Sequence, residues 1–227
     1  MVRAIIFDFN GVILNDEPLH YASMKESVAA FGIVLTREAY WAKYLPLDDG
    51  NCLESILQDF SIRLSEEKKR GVLALKAKLY RDLIKDSCPL FPGAVHFIKT
   101  AAQLYPLAIA SGARRQEIDS VLDAAGLRSC FQSILAAEDF EKGKPHPESY
   151  LQALECLNSD IAVSSPIRPG ECLVIEDSVD GVRGARSAGM VCLAVSNTYP
   201  ARELKEANKV ISSLENLQPN ALRGLFQ

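Results

Sequence analysis

Arg3-Ala4-Ile5-Ile6-Phe7-Asp8-Phe9-Asn10-Gly11, at the start of the chain, is the stretch on which the fold is read. Residues 3–9 are a short run rich in β-branched and aromatic side chains, which predicts a strand buried on both faces. Its one acid, Asp8, stands near the C-terminal end, and Asn10-Gly11 marks the loop that leaves it.

Downstream the pattern changes. From Glu17 to Lys85 the sequence reads as helices joined by short turns, with candidates at 18–31, 37–44, 50–59 and 65–84. Ser65, followed by Glu66 and Glu67, opens the last of these. No alternating strand pattern occurs there. The stretch reads as a helical module inserted after the first strand and closed by Ser87-Cys88-Pro89.

After Phe91-Pro92-Gly93 a strand–helix alternation takes over. Helices are expected at 93–102, 114–125, 147–157 and 179–188, the last with Gly189 as its C-cap. Strands are expected at 105–110, 133–136, 171–175, 191–195 and 209–211, with polar loops at 138–146 and 158–170. Such alternation implies a parallel sheet with helices on both faces. The expected architecture is therefore α/β, a Rossmann-like parallel sheet formed by 1–15 and 89–227, interrupted by a small all-helical domain at 16–88.

Composition narrows the function classes. The 227 residues are 48% hydrophobic, and 25 basic against 29 acidic residues give a net charge of -4. This near balance carries no electrostatic footprint for nucleic acid or an anionic membrane. The first apolar run is too short for a signal peptide and ends in an acid, so a cytoplasmic location is expected. Six cysteines with no CxxC spacing read as reduced thiols. No dimerisation signal is evident, and a monomer is the default.

Polar residues gather in one place. Asp8 and Asn10, Ser111 and Gly112, Lys144, and Glu176 with Asp177 all follow apolar strands or lie in loops on the same expected side of the sheet. Ligands of such sheets sit beyond the carboxyl ends of the strands. Taken singly, each is a plausible turn or helix cap. Together they are a kit for a metal-bridged phosphoryl group. Asp8 is the candidate nucleophile, and Asp177 with Glu176 offers hard oxygen ligands suited to Mg²⁺. Ser111 and the amides near Gly112 could hold phosphoryl oxygens. Lys144 could neutralise charge developing in the transition state.

The chain resembles the haloacid dehalogenase-like hydrolase superfamily, in the branch that contains β-phosphoglucomutase and phosphoglycolate-phosphatase-like enzymes. The family's first motif, hhhDxDGhhhDSE with h apolar, is approximated from Ile5 to Glu17, and its second, a Ser or Thr after a strand, by Ser111. Gly143-Lys144-Pro145-His146-Pro147-Glu148-Ser149-Tyr150 meets the third, GKPxPxxY, in full. The fourth is nearly met from Leu173-Val174-Ile175-Glu176-Asp177-Ser178 to Ala188-Gly189-Met190. The resemblance implies a helical cap over a catalytic core and a small phosphorylated metabolite as substrate. It also implies that Asp8 is nucleophile and Mg²⁺ ligand, with the Asn10 backbone carbonyl and Asp177 on the metal and Glu176 in or near its coordination shell. Ser111, Gly112 and Lys144 would contact the phosphoryl group, and Glu17 and His20 would lie towards the active-site entrance.

One departure matters. The family's phosphatases and mutases carry a second aspartate two residues after the nucleophile, which moves protons to and from the leaving group. Here that residue is Asn10, and an amide has no proton to exchange near neutral pH. The enzyme could be slow or work on good leaving groups such as acyl phosphates. Asp16, Glu17 or His20 could act as substitute acid/base, the chain could be a variant that traps a complex, or the protein could have drifted into binding. The loop from Tyr44 to Gly50 lacks the glycine and basic residue that mutase relatives place there, which leaves phosphosugar mutase activity as an alternative to hydrolysis.

Overall fold

The computed structural model describes residues 1–45, 47–86, 89–160 and 165–223. The chain divides into two compact units, Met1–Asn15 with Cys88–Gln227, and Asp16–Ser87. The loop at Pro46, the junction at Ser87-Cys88 and part of the 158–170 loop lie outside the described residues.

The first unit, called the core below, is built on a parallel sheet of six strands in the order β3-β2-β1-β4-β5-β6. These are β1 (Ala4–Phe7), β2 (Leu107–Ala110), β3 (Ser133–Leu135), β4 (Cys172–Glu176), β5 (Val191–Val195) and β6 (Lys209–Ile211). The expected α/β, Rossmann-like architecture is what the chain adopts. β1 is central, with Phe7 level with Ile109 of β2 and Ile175 of β4. Strand order reverses across β1, and open α/β sheets bind their ligands at such a crevice.

Alternate residues of each strand face opposite sides. Ala4, Ile6, Val174, Cys192 and Ala194 pack on one face with Ala153 and Leu157 of α7 (Glu148–Asp160) and Val182 and Ala185 of α8 (Val179–Ser187). On the other face Phe7 meets Phe97 of α5 (Ala94–Ala101) edge-on, with ring centroids 6.1 Å apart, and Phe131 at 5.8 Å. The remaining core helix is α6 (Arg115–Ala124). Ser178 caps α8, its hydroxyl accepting from the Gly181 N–H at 3.0 Å.

The Asp16–Ser87 unit is helical: α1 (Glu17–Ala29), α2 (Arg37–Ala39), α3 (Asp49–Asp59) and α4 (Glu66–Asp86). The helix expected at 37–44 breaks into α2 and a wider π-helical turn, Tyr40–Tyr44. That turn buries both tyrosines, and their hydroxyls reach Glu17 at 2.8 Å and Asp59 at 2.6 Å. Met24, Val28, Leu53, Ile56 and Val72 form the centre of the unit's own apolar core. The described cysteines, 52, 130, 156, 172 and 192, are free thiols. Among the described residues no helix is long and apolar enough to cross a membrane.

Candidate active site

β1 ends at Phe7, so Asp8 is the first residue beyond the strand, still held by its N–H donating to the Ile175 carbonyl at 2.9 Å. The chain then turns tightly: Ile13 and Leu14 donate to the Phe9 carbonyl and Gly11 donates to the Leu14 carbonyl at 2.9 Å. Gly11 has φ +77°, and a Cβ there would lie 1.9 Å from Asp177 Oδ2. Only glycine fits a left-handed residue pressed against a carboxylate.

β4 carries the opposing acids. Glu176 is its last residue, fully buried, and Asp177 comes next. Glu176 is saturated with donors: Lys144 Nζ at 2.6 Å and Tyr150 OH at 2.9 Å on Oε1, and the Asp177 and Ser178 N–H groups and the Ser178 hydroxyl on Oε2. α8 passes so close that a Cβ at Gly181 would lie 1.8 Å from Oε1. Burial pushes the Glu176 carboxyl up, but Lys144 and the hydrogen bonds outweigh it and hold the group below its usual range.

Lys144 completes the group. Its ammonium donates to Asp8 Oδ1 as well as to Glu176. Burial alone would weaken its hold on a proton, yet the two carboxylates leave its pKa raised. Asp8 moves the other way from Glu176. Burial raises it from 3.8 to about 7, with Lys144 opposing and Glu176 adding. Asp177 is also held well above its usual range, by burial first and then by Glu176 and Asp8.

Asp8, Glu176 and Asp177 each offer an oxygen, and these atoms lie within 4.8 Å of one another. Three buried carboxylates facing one ammonium are in deficit of positive charge, and buried charge is tolerated when it is paired or coordinates a metal. The donor set is all hard oxygen, so it fits a cation such as Mg²⁺ and not a thiolate-loving metal.

The structure thus gathers Asp8, Lys144, Glu176 and Asp177. Ser111 is buried at the end of β2, and its hydroxyl accepts from the Ala113 N–H at 3.2 Å. Gly112 is exposed in the turn that leads to α6. Asn10 lies in the turn after Asp8, bridged to Leu14. Asp16, Glu17 and His20 belong to the helical unit, where the His20 ring Nε2 lies 3.1 Å from Asp16 and its Nδ1 lies 2.6 Å from Lys76 Nζ.

Sequence reasoning passes over three contributors. Tyr150 stands in the third motif with no role assigned to it there, and it holds Glu176. In the loop after β5, Asn197 reaches the Gly11 carbonyl at 2.8 Å, and the neighbouring Thr198 opposes the rise of the Asp177 carboxyl. The rule that finds the other residues, polar side chains just past an apolar strand, applies equally to Asn197 and Thr198, while Tyr150 lies within α7.

Comparison with known proteins finds relatives of the whole chain. Residues 2–189 match the haloacid dehalogenase-like hydrolase family. The phosphorylated carbohydrates phosphatase of Thermotoga maritima is 28% identical over 83% of this chain and 82% of that protein. The fructose-1-phosphate phosphatase YqaB of Escherichia coli is 26% identical over 82% of this chain and 92% of that one. A crystal structure of β-phosphoglucomutase from Clostridium difficile superposes with a TM-score of 0.76 at 26% identity, covering 100% of this chain and 97% of that one. With the sheet, the buried acids and their lysine placed as described, and most of its length matched, the chain belongs to the haloacid dehalogenase-like hydrolase family.

Proposed function

We propose that this protein is a Mg²⁺-dependent phosphatase of small phosphomonoesters that works through a phosphorylated Asp8. The observation that carries the proposal is the convergence of Asp8, Glu176 and Asp177 within 4.8 Å, with Lys144 on two of them. Asp8, Asp177 and the Asn10 backbone carbonyl would hold the cation, which supplies charge neutralisation to an incoming phosphate when bound. Glu176, whose oxygens accept from Lys144, Tyr150 and the start of α8, would stand in or near the coordination shell and hold Lys144 in place.

An Asp8 oxygen attacks phosphorus while the bond from phosphorus to the ester oxygen breaks, and the leaving oxygen takes a proton from solvent, to which the attacking water of the next step returns one. Water then attacks the Asp8-bound phosphoryl group, gives up a proton, and releases phosphate with Asp8 restored. Lys144 offsets charge on Asp8 and on the transferring oxygens. Ser111 and the amides at Gly112 contact that group. The relatives named for a phosphorylated carbohydrate and for fructose 1-phosphate support a phosphosugar-sized substrate.

Asn10 sets the expected pace. Without an exchangeable proton there, a poor leaving group departs slowly, and a substrate whose leaving group needs no proton is favoured. Likeness to β-phosphoglucomutase over the whole chain favours a second reading, phosphoryl transfer between positions of a sugar. Screening phosphate release over a metabolite panel with Mg²⁺ separates these. Release lost in Asp8→Asn supports the phosphatase, and undiminished release rejects it. Isomerised sugar phosphate that depends on a bisphosphate primer identifies a mutase. Binding of phosphorylated ligands with no turnover, even in Asn10→Asp, identifies a binding protein.

A further inference from the structure

Lys144 lies in the loop before α7, and Tyr150 in the first turn of that helix. Both end on one oxygen of Glu176. Oε1 accepts from Lys144 Nζ at 2.6 Å and from the Tyr150 hydroxyl at 2.9 Å. The same ammonium stands over the Tyr150 ring, 5.2 Å from its centroid, and donates to Asp8 Oδ1. Tyr150 is fully buried, and α8 makes room for it: a Cβ at Gly184 would lie 3.1 Å from the ring's Cε2. A buried tyrosine hydroxyl needs an acceptor, and this one has taken the oxygen that shares Lys144 with Asp8.

We infer that Tyr150 is a positioning residue that keeps the Lys144 ammonium on Asp8 and so sets how fast Asp8 is phosphorylated. This rests on the phosphatase reading above. Lys144 is shared between two carboxylates, and the sharing depends on what else each carboxylate accepts. Oε2 of Glu176 is met by the Asp177 and Ser178 N–H groups and the Ser178 hydroxyl, which leaves Tyr150 to adjust Oε1. Its hydroxyl satisfies part of the Glu176 charge and weakens that acid's pull on the ammonium. The ring face attracts the ammonium at cation–π distance. Without the hydroxyl, Oε1 accepts from Lys144 alone, and the ammonium is drawn away from Asp8 and from the oxygens of an incoming phosphoryl group. A neutral donor suits the place, because a second cation beside Glu176 would repel Lys144.

A hydrogen bond to a charged group is worth about 10–100-fold in rate when its loss falls on the transition state. The probe is acetyl phosphate with saturating Mg²⁺. Phosphorylation in the first turnover is timed by mass spectrometry and mapped to Asp8, over a range of acetyl phosphate concentrations. Tyr150→Phe keeps the ring and removes the hydroxyl. Glu176→Gln removes the charge that competes for Lys144, and the two substitutions form a double-mutant cycle. Melting temperatures fix an assay temperature at which every variant is folded.

We expect Tyr150→Phe to lower the maximal phosphorylation rate by about 10–100-fold in the parent, and to change it little when Glu176 is already Gln. A tyrosine that only packs α7 would cost the same in both backgrounds. A parent-like rate in Tyr150→Phe overturns the inference, and so does an equal loss in both backgrounds. If Glu176→Gln does not fold, Tyr150→Phe decides alone. A loss in the maximal rate, with half-saturation near the parent's, then supports the inference, and a loss confined to half-saturation overturns it. A parent that is never phosphorylated at Asp8 rejects the phosphatase reading and this inference with it. That result is distinct from a parent that is phosphorylated and a Tyr150→Phe variant that keeps pace with it.

Discussion

Each unit of the molecule sets a buried lysine among acids, and the two clusters are finished differently. In the helical unit Lys76, 2% exposed, reaches Asp49 at 2.7 Å and His20 at 2.6 Å. Around it, Asp16 and Glu17 each have a tyrosine donor: Tyr80 OH reaches Asp16 at 2.8 Å, and Tyr40 OH reaches Glu17 at 2.8 Å. In the core, Asp8, Glu176 and Asp177 converge on one small volume, and Lys144 spans just two of them. Among the described residues this is the grouping of acids spaced to hold a metal ion. The helical network closes on itself and holds a fold together. The core cluster stays short of positive charge, which is what the proposed binding of a cation and an anion together requires.

Substitutions that break the comparison should differ in kind as well as size. The largest effect is expected from Asp8→Asn, which removes the attacking oxygen and should lower phosphate release by at least about 10³-fold while the protein stays folded. Asn10→Asp sharpens the same side. Restoring an exchangeable proton should raise release from ordinary phosphomonoesters by about 10²–10⁴-fold, and release from acyl phosphates too, because both pass through hydrolysis of the phosphorylated Asp8. Steady-state assays on paired substrates check both.

Lys76→Met addresses the other cluster. It strips a charged hydrogen-bond donor from His20 and Asp49 and should cost about 1.5–3 kcal/mol of stability in urea unfolding, equally with and without Mg²⁺. Equal cost is the signature of a network that serves the fold.

The smallest effect is a pH dependence. Burial raises Asp8 in the folded protein to about 7, above its unfolded value of 3.8. The folded protein then binds more protons, so stability is greatest below the unfolded value and is lost as pH rises towards about 7. The raised Asp177 pushes in the same direction. A divalent cation opposes this loss, so the gain in melting temperature from Mg²⁺ should be larger at about pH 8 than at about pH 5.5. A gain that does not change with pH would argue against cation binding at these carboxylates.

Much of this architecture is readable from residues alone, because strand and helix periods differ and the polar residues interrupt apolar runs at strand ends. Lys144, Glu176 and Asp177, which the third and fourth motifs single out, lie together beyond the ends of the strands. Limits arise where long-range contacts decide. The strand expected at 105–110 begins at Leu107, since Pro106 accepts from Ile5 but cannot donate to the ladder. Helix 37–44 widens at Tyr40 because two tyrosine hydroxyls are drawn to Glu17 and Asp59, residues far off in sequence. Asn197 stands just past β5, where the strand-end rule points, but its partner Gly11 belongs to another strand's loop, and no local pattern encodes that pairing.

Asp8 as nucleophile, and Asn10 as the residue that slows hydrolysis of the phosphorylated Asp8, are the two roles on which the proposed chemistry turns. Incubating the protein with acetyl phosphate and Mg²⁺, then mapping peptides by mass spectrometry, tests both at once. The leaving group needs little help, so Asp8 should become phosphorylated, and the adduct should persist in the parent and decay faster in Asn10→Asp. Modification at another residue, or an adduct that survives Asp8→Asn, would contradict this chemistry.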